Sequence, residues 1–205
     1  MEQPQEITAA LTRDNCRHGF IGGYAVSLDV DLVVDADPVN VRQLLLQVSG
    51  FQLTGANSLV FMHNGRAVKV EILRGGHTQQ MKLPDAKSVP LHYISARNLP
   101  EHDSDTPIPI VHPAVLMLTK VKRWSDIAQS TRPRSIKKAH GDFQDIQVIL
   151  GWLISNNLRI DFTAYPEKPK ESLLPCFRKL CQLHTTVRPL LEVAMEAQDL
   201  DRLHN

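Results

Sequence analysis

The first half of the chain mixes apolar residues at helical spacing with short β-branched runs, and beyond His112-Pro113 the apolar residues recur every three or four positions. Ile7, Ala10 and Leu11 share helical spacing and predict a short helix from Ile7 to Cys16. Gly19-Phe20-Ile21 reads as a strand running into the turn Gly22-Gly23. Asp29-Val30-Asp31-Leu32-Val33-Val34 is β-branched and bounded by Asp35-Ala36-Asp37-Pro38, the pattern of a strand with a stop. Asp37 before Pro38 predicts a helix start, with a capping carboxylate and then a proline where its missing N–H does no harm. Val41, Leu44, Leu45 and Val48 give that helix its apolar face, and Gly50 sits at its stop.

Residues 58–63 and 66–73 are two strand-like runs joined by Asn64-Gly65. This dipeptide supplies the positive φ angles of a tight type I′ turn, so the segment predicts a β-hairpin. Residues 74–107 are rich in Gly, Pro, Asp and Ser and read as a long loop or weak edge structure, with one more short strand at Ile108–Val111. Beyond His112-Pro113 the pattern becomes helical. Ala114 to Trp124 is one helix, and Asp142 to Asn156 is another, with Phe143, Ile146, Leu150, Leu153 and Ile154 inward. Ser172 to Leu203 supplies one or two more, broken near Pro189. The expected architecture is α+β: an α/β half over residues 1–111 with a mixed sheet and flanking helices, then a helical bundle over 112–205.

Composition narrows the class. In 205 residues, 42% hydrophobic content is enough for a core, and 22% charged content excludes a disordered chain. A net charge of +1 gives bulk electrostatics no role in choosing a partner. Three cysteines, an odd number, argue against a disulfide scaffold and for a reducing compartment. The polar start and the absence of any long apolar run lead to the expectation of a cytoplasmic or nuclear protein with no membrane partner.

Asp29 and Asp31 carry the sharpest chemical signal. Two residues apart in a strand, their carboxylates project to one face. Adjacent anions repel, and burying them is costly unless a cation lies between them. Hard carboxylate oxygens suit Mg²⁺, which takes one or two protein carboxylates and completes its shell with water and substrate phosphate. Glu71, in Val68-Lys69-Val70-Glu71-Ile72-Leu73, is a candidate third carboxylate for a two-metal site. The plainer reading stands beside this one: an Asp-x-Asp at a strand start is often a solvated edge before a turn. Gly22-Gly23 allows backbone amides to approach phosphates closely, and equally makes an ordinary turn.

Taken together, residues 20–25 (Phe-Ile-Gly-Gly-Tyr-Ala), Asp29–Val34 and 68–73 resemble the nucleotidyltransferase superfamily typified by DNA polymerase beta. That family combines a glycine turn, a carboxylate–x–carboxylate strand and a third carboxylate on a later strand. Residues 112–124 and 142–146 look like the helical half of its small stand-alone members, found among fungal nucleotidyltransferase-like proteins and abortive-infection toxins. The resemblance covers residues 20–156. It implies that Gly22 and Gly23 cradle the phosphates, that Asp29 and Asp31 hold the metals, and that Glu71 activates the acceptor hydroxyl. It implies a triphosphate contact for Lys120 and leaves Asp142 and Asp145 as acidic positions whose plain reading is capping and ion pairing.

One departure from the family pattern bears on activity. Only Tyr24–Leu28, five residues, separate the glycine pair from Asp29, where active members usually have about nine to thirteen. Five residues make roughly 7 Å of helix, and misplacements of about 1 Å can lower a rate by about 10². Lost activity, a contracted site and a missing segment are the three readings this leaves.

Between Lys120 and Gly141 lie seven basic residues (Lys120, Lys122, Arg123, Arg132, Arg134, Lys137, Lys138) and one acid, Asp126. This local excess would attract a triphosphate or an RNA end, or serve only as a solvated face. Trp124 is read as helix packing ahead of base stacking. Cys176, Cys181 and His184 are read as core ahead of a metal site, and no zinc, P-loop or nucleophile-elbow motif is present. The leading expectation is therefore a Mg²⁺-dependent transfer of NMP from an NTP to an RNA end, a protein or a small molecule. The rival is an inactive member of the fold that binds nucleotide or a protein partner, and a third reading is an RNA-binding accessory module using the basic stretch 120–140.

Overall fold

A computed structural model describes residues 3–21, 29–63, 65–76, 82–95 and 107–204. It divides the chain into two units, Met1–Val111 and His112–Asn205. The first unit begins with helix α1 (Gln3–Arg13) and contains strands β1 (His18–Ile21), β2 (Asp29–Val34), β3 (Phe51–Leu53), β4 (Leu59–His63), β5 (Arg66–Arg74), β6 (Leu91–Ile94) and β7 (Ile108–Val111), with helix α2 (Pro38–Leu45) after β2. The sheet order is β3-β4-β5-β2-β1-β7-β6. β2 runs parallel to β5, and β1 parallel to β7, while the other pairs are antiparallel. The architecture is α+β with a mixed sheet.

Alternation along the strands divides this sheet into two faces. Val30, Leu32 and Val34 of β2, Val70 of β5 and Phe20 of β1 join Ile7 and Leu11 of α1 and Val41 and Leu45 of α2 in one core. The opposite face of β2 carries positions 29, 31 and 33. Val33 is fully buried there: a Cβ on Gly75 would lie 2.9 Å from Val33 and 2.1 Å from the Pro84 carbonyl oxygen, so the segment 82–89 packs closely over this end.

The local signals act as their chemistry requires. Asp37 Oδ1 accepts from the Val39 amide at 2.7 Å and caps α2. Gly65 has φ +74° at the β4–β5 turn; Asn64 lies outside the described residues. Two strands lie where the sequence pattern gave no clear one. β3 has only three residues and pairs with β4, and β6 forms the sheet edge against β7 within the stretch read as a loop.

The second unit contains α3 (Pro113–Ile127), α4 (Pro133–Ser155), α5 (Lys170–Leu183), α6 (Arg188–Ala194) and α7 (Ala197–His204). α3 packs on α4 and α5, α6 on α4, and α7 on α5. Met117, Leu118, Val121 and Trp124 of α3, Ile146, Leu150 and Leu153 of α4, and Phe177 and Leu180 of α5 are buried. Trp124 is 2% exposed and serves packing, with the His184 ring 5.5 Å away. α4 starts at Pro133 rather than at Asp142, because Pro133 opens the helix and the basic run continues it. The break expected near Pro189 lies between Leu183 and Arg188, and Pro189 sits in the first turn of α6, where its missing N–H is tolerated.

Candidate functional site

Asp31 and Glu71 stand at partner positions on the adjacent parallel strands β2 and β5. Neighbouring strands lie about 4.8 Å apart, and partner positions project to the same face. Asp31 is half-buried, and the Glu71 side chain is about half exposed. Lys69 occupies the partner position of Asp29, and its Nζ lies 3.5 Å from Glu71 Oε2. An ion pair this exposed contributes about 0–1 kcal/mol. The side chain of Asp29 lies outside the described residues, as do Gly22, Gly23 and the segment 24–28. Ile21 is the register partner of Asp31. Among the described residues no three His, Cys, Asp or Glu side chains form a metal-binding group.

Glu71 and Lys69 also border a concavity of about 330 Å³ whose other walls include Pro38, Arg42, Asn57 and Ser58. Arg42 is held there by donating to the Asn57 carbonyl at 2.6 Å. Neither Lys69 nor Arg42 was singled out as a site residue in the sequence. The signal for Lys69 was available, because it alternates with Glu71 along one strand face.

Lys120 lies in the second unit and is 4% exposed. Its ammonium donates to Asp145 and lies 3.7 Å from Asp142 Oδ1. Asp142, 2% exposed, also takes a fork from Arg123, whose Nε donates to Oδ2 at 2.8 Å. Asp142 and Asp145 thus balance Lys120 and Arg123 between α3 and α4, and the Lys120 ammonium is already held by two carboxylates. The sequence reading did not place Lys120 inside, although the helical spacing of its neighbours carries that signal. Met117, Leu118, Lys120, Val121 and Trp124 share one inner stripe of α3.

Cys176 and Cys181 are free thiols, as is Cys16. The Cys176 thiol contacts the Ser172 carbonyl, and His184 stacks on Phe143 with ring centroids 3.8 Å apart. These are packing arrangements. In the first unit burial and the neighbouring Asp35 push the Cys16 thiol up to about 11, so it remains protonated near neutrality. No described helix is long and apolar enough to cross a membrane.

No family model matches the sequence, and no curated protein matches it. Solved structures do. An antigenic nucleotidyltransferase-like protein from Paracoccidioides brasiliensis matches with TM-score 0.71 at 17% identity, over 97% of this chain and 94% of that one. The antibiotic-resistance factor ANT(2'')-Ia matches at TM-score 0.38 and 10% identity, over 74% of this chain and 89% of that one. A tRNA nucleotidyltransferase complexed with a primer tRNA and an incoming ATP analog matches at TM-score 0.28 and 12% identity, over 91% of this chain and 62% of that one.

Proposed function

The chain has the nucleotidyltransferase superfamily fold, and on that premise we propose that it transfers a nucleoside monophosphate from an NTP to an acceptor hydroxyl. The observation that carries this reading is the register of Asp31 with Glu71 on adjacent parallel strands. Two hard carboxylates side by side fit Mg²⁺, which needs only one or two from the protein and takes the rest of its shell from water and phosphate. Asp29, Asp31 and Glu71 would hold the metal, and Gly22 and Gly23 would cradle the triphosphate. Bound there, Mg²⁺ supplies polarisation of the α-phosphate and neutralisation of the departing charge.

Glu71 is the general base in this proposal. It takes the proton of the acceptor hydroxyl. The acceptor oxygen bonds to the α-phosphorus, the bond from that phosphorus to the bridging oxygen breaks, and pyrophosphate leaves. The exposure of Glu71 suits this role, because its carboxylate is open to an incoming acceptor. Lys120 is given no phosphate contact, since its ammonium is held by Asp142 and Asp145. The acceptor is an RNA end, a protein side chain or a small-molecule hydroxyl. A second reading, a nucleotide- or partner-binding protein without transfer, is favoured by the five-residue segment Tyr24–Leu28.

The test is incubation with each α-labelled NTP, Mg²⁺ and either total RNA or lysate protein. Transfer of label that is lost in Asp31→Asn supports the reading. Undiminished transfer in that variant overturns the site. Mg²⁺-dependent ATP or GTP binding with no transfer to any acceptor favours the second reading.

A further inference from the structure

The first unit holds a larger cavity, of about 620 Å³, lined by parts of α1, β1, β6 and β7. His18 and Thr8 are among its walls, each 5% exposed. His18 Nδ1 lies 3.0 Å from the Cys16 carbonyl oxygen, which only accepts, so Nδ1 carries the proton and Nε2 presents a bare lone pair. Nε2 has no hydrogen-bond partner, and neither has Thr8 Oγ1. Buried polar groups left unpaired are uncommon and costly, so two of them on one cavity call for a ligand that pairs them. A single water takes about 30 Å³ and leaves most of this space unfilled. The register pairs His18 with Val34, on the sheet face opposite Asp31, so the site is separate from the carboxylates of β2 and β5.

Three features of the lining select the ligand. A hydroxyl can give a proton to Nε2 and accept one from Thr8 Oγ1 with a single oxygen. Tyr93, Pro107 and Pro109 supply flat apolar walls, which suit an aromatic ring. Arg13 and Arg17 are exposed members of the lining, and no carboxylate of the described residues joins them there. Arg13 makes no ion pair among the described residues, and Arg17 is steadied by donating through Nη2 to the Val89 carbonyl at 2.9 Å. Guanidinium forks match the two oxygens of a carboxylate. We propose that this cavity binds a small aromatic hydroxy acid, with its hydroxyl at His18 and Thr8, its ring against Tyr93 and the two prolines, and its carboxylate at Arg13 and Arg17.

The test is calorimetric titration of the full chain with 4-hydroxybenzoate. Saturable binding with Kd at or below about 1 mM is the expectation for a ligand of about ten heavy atoms. Benzoate and 4-methoxybenzoate, which lack the hydroxyl proton, bind about tenfold more weakly, the worth of one hydrogen bond. 4-Hydroxybenzyl alcohol, which lacks the charge, also binds more weakly. Thr8→Val has the same shape, keeps the thermal midpoint of the wild type and weakens 4-hydroxybenzoate binding by about tenfold. Arg13→Gln, a surface change that does not threaten folding, weakens it as well, whereas Arg134→Gln on α4 leaves it unchanged, which separates a built site from general attraction of an anion. Equal affinity for benzoate and 4-hydroxybenzoate overturns the proposal, and so does wild-type affinity in both Thr8→Val and Arg13→Gln. An absence of saturable binding overturns it too. Displacement of 4-hydroxybenzoate by ATP with Mg²⁺ also overturns it, because the cavity then belongs to the nucleotide site.

Discussion

Asp31 and Glu71 are register partners across the parallel pair of β2 and β5, and Lys69 reaches Glu71 from two residues away on the same strand. The carboxylate pair therefore stands beside a half-exposed cation that gives it little. This separates a functional role for Glu71 from a structural one.

Glu71→Gln is expected to leave the urea midpoint almost unchanged, because an exposed pair contributes no more than about 1 kcal/mol. The same variant is expected to lower NMP transfer by about 10²–10⁴, the usual contribution of a positioned base. Denaturation curves and initial rates on one preparation check both halves. Equal losses of stability and activity would make Glu71 a structural residue.

Lys120 makes the opposite case. It is nearly buried between Asp142 and Asp145, so Lys120→Met takes the ammonium partner from Asp145 and leaves Asp142 to Arg123 alone. Breaking a buried pair by removing one partner costs about 3–5 kcal/mol. The expected result is a large drop in thermal midpoint, with much of it regained in Lys120→Met/Asp145→Leu. A Lys120→Met protein of wild-type stability would show that the network contributes nothing to the fold.

These contrasts mark what the sequence could convey. Asp37-Pro38 and the hairpin turn at Gly65 were legible because the signals are local: a cap and a turn act within a few residues. Alternation also placed Asp31 on the face opposite Val30 and Leu32. It could not place Glu71 next to Asp31, because that depends on a parallel pairing between strands forty positions apart in sequence. β6 was missed for the same reason, since its strand character depends on β7. The start of α4 was hidden by its exposed charges and Gly141, which carry no inward stripe. Lys120 entered through the family resemblance, and its apolar neighbours at helical spacing carried a separate signal, an inner position on α3.

The pH dependence of stability should carry the signature of His18. Burial holds its imidazole below the ordinary histidine range, against a smaller opposing influence from Asp35 and from its hydrogen bond to the Cys16 carbonyl. Nδ1 lies 3.0 Å from that carbonyl oxygen, which only accepts, so Nδ1 carries the proton of the neutral ring. The folded state favours the neutral form, and the unfolded chain protonates first, near pH 6.5. The contribution is therefore present above about pH 6.5 and is lost as pH falls below it, by at most about 1.4 kcal/mol per pH unit, until the folded-state value is reached. Urea midpoints at successive pH values should show this decline in the wild type and a shallower one in His18→Gln. Parallel declines would assign the effect to other groups.

The close approach at Gly75 allows the last prediction. A Cβ there would fall 2.1 Å from the Pro84 carbonyl oxygen and 2.9 Å from the Ala86 amide nitrogen. Both are backbone atoms, so no side chain can swing aside, and the segment 82–89 would have to lift from Val33. Overpacking of this kind costs about 1–3 kcal/mol. At Gly55 an added Cβ meets nothing within 4 Å, and φ is not positive. Gly55→Ala is therefore expected to be neutral or to stabilise by up to about 1 kcal/mol through the unfolded chain. The pair shares one chemical change and differs only in surroundings, so the difference in their urea midpoints measures the packing of 82–89 on the sheet. If Gly75→Ala is as well tolerated as Gly55→Ala, that segment does not lie against β2 as described, and Val33 is covered by something else.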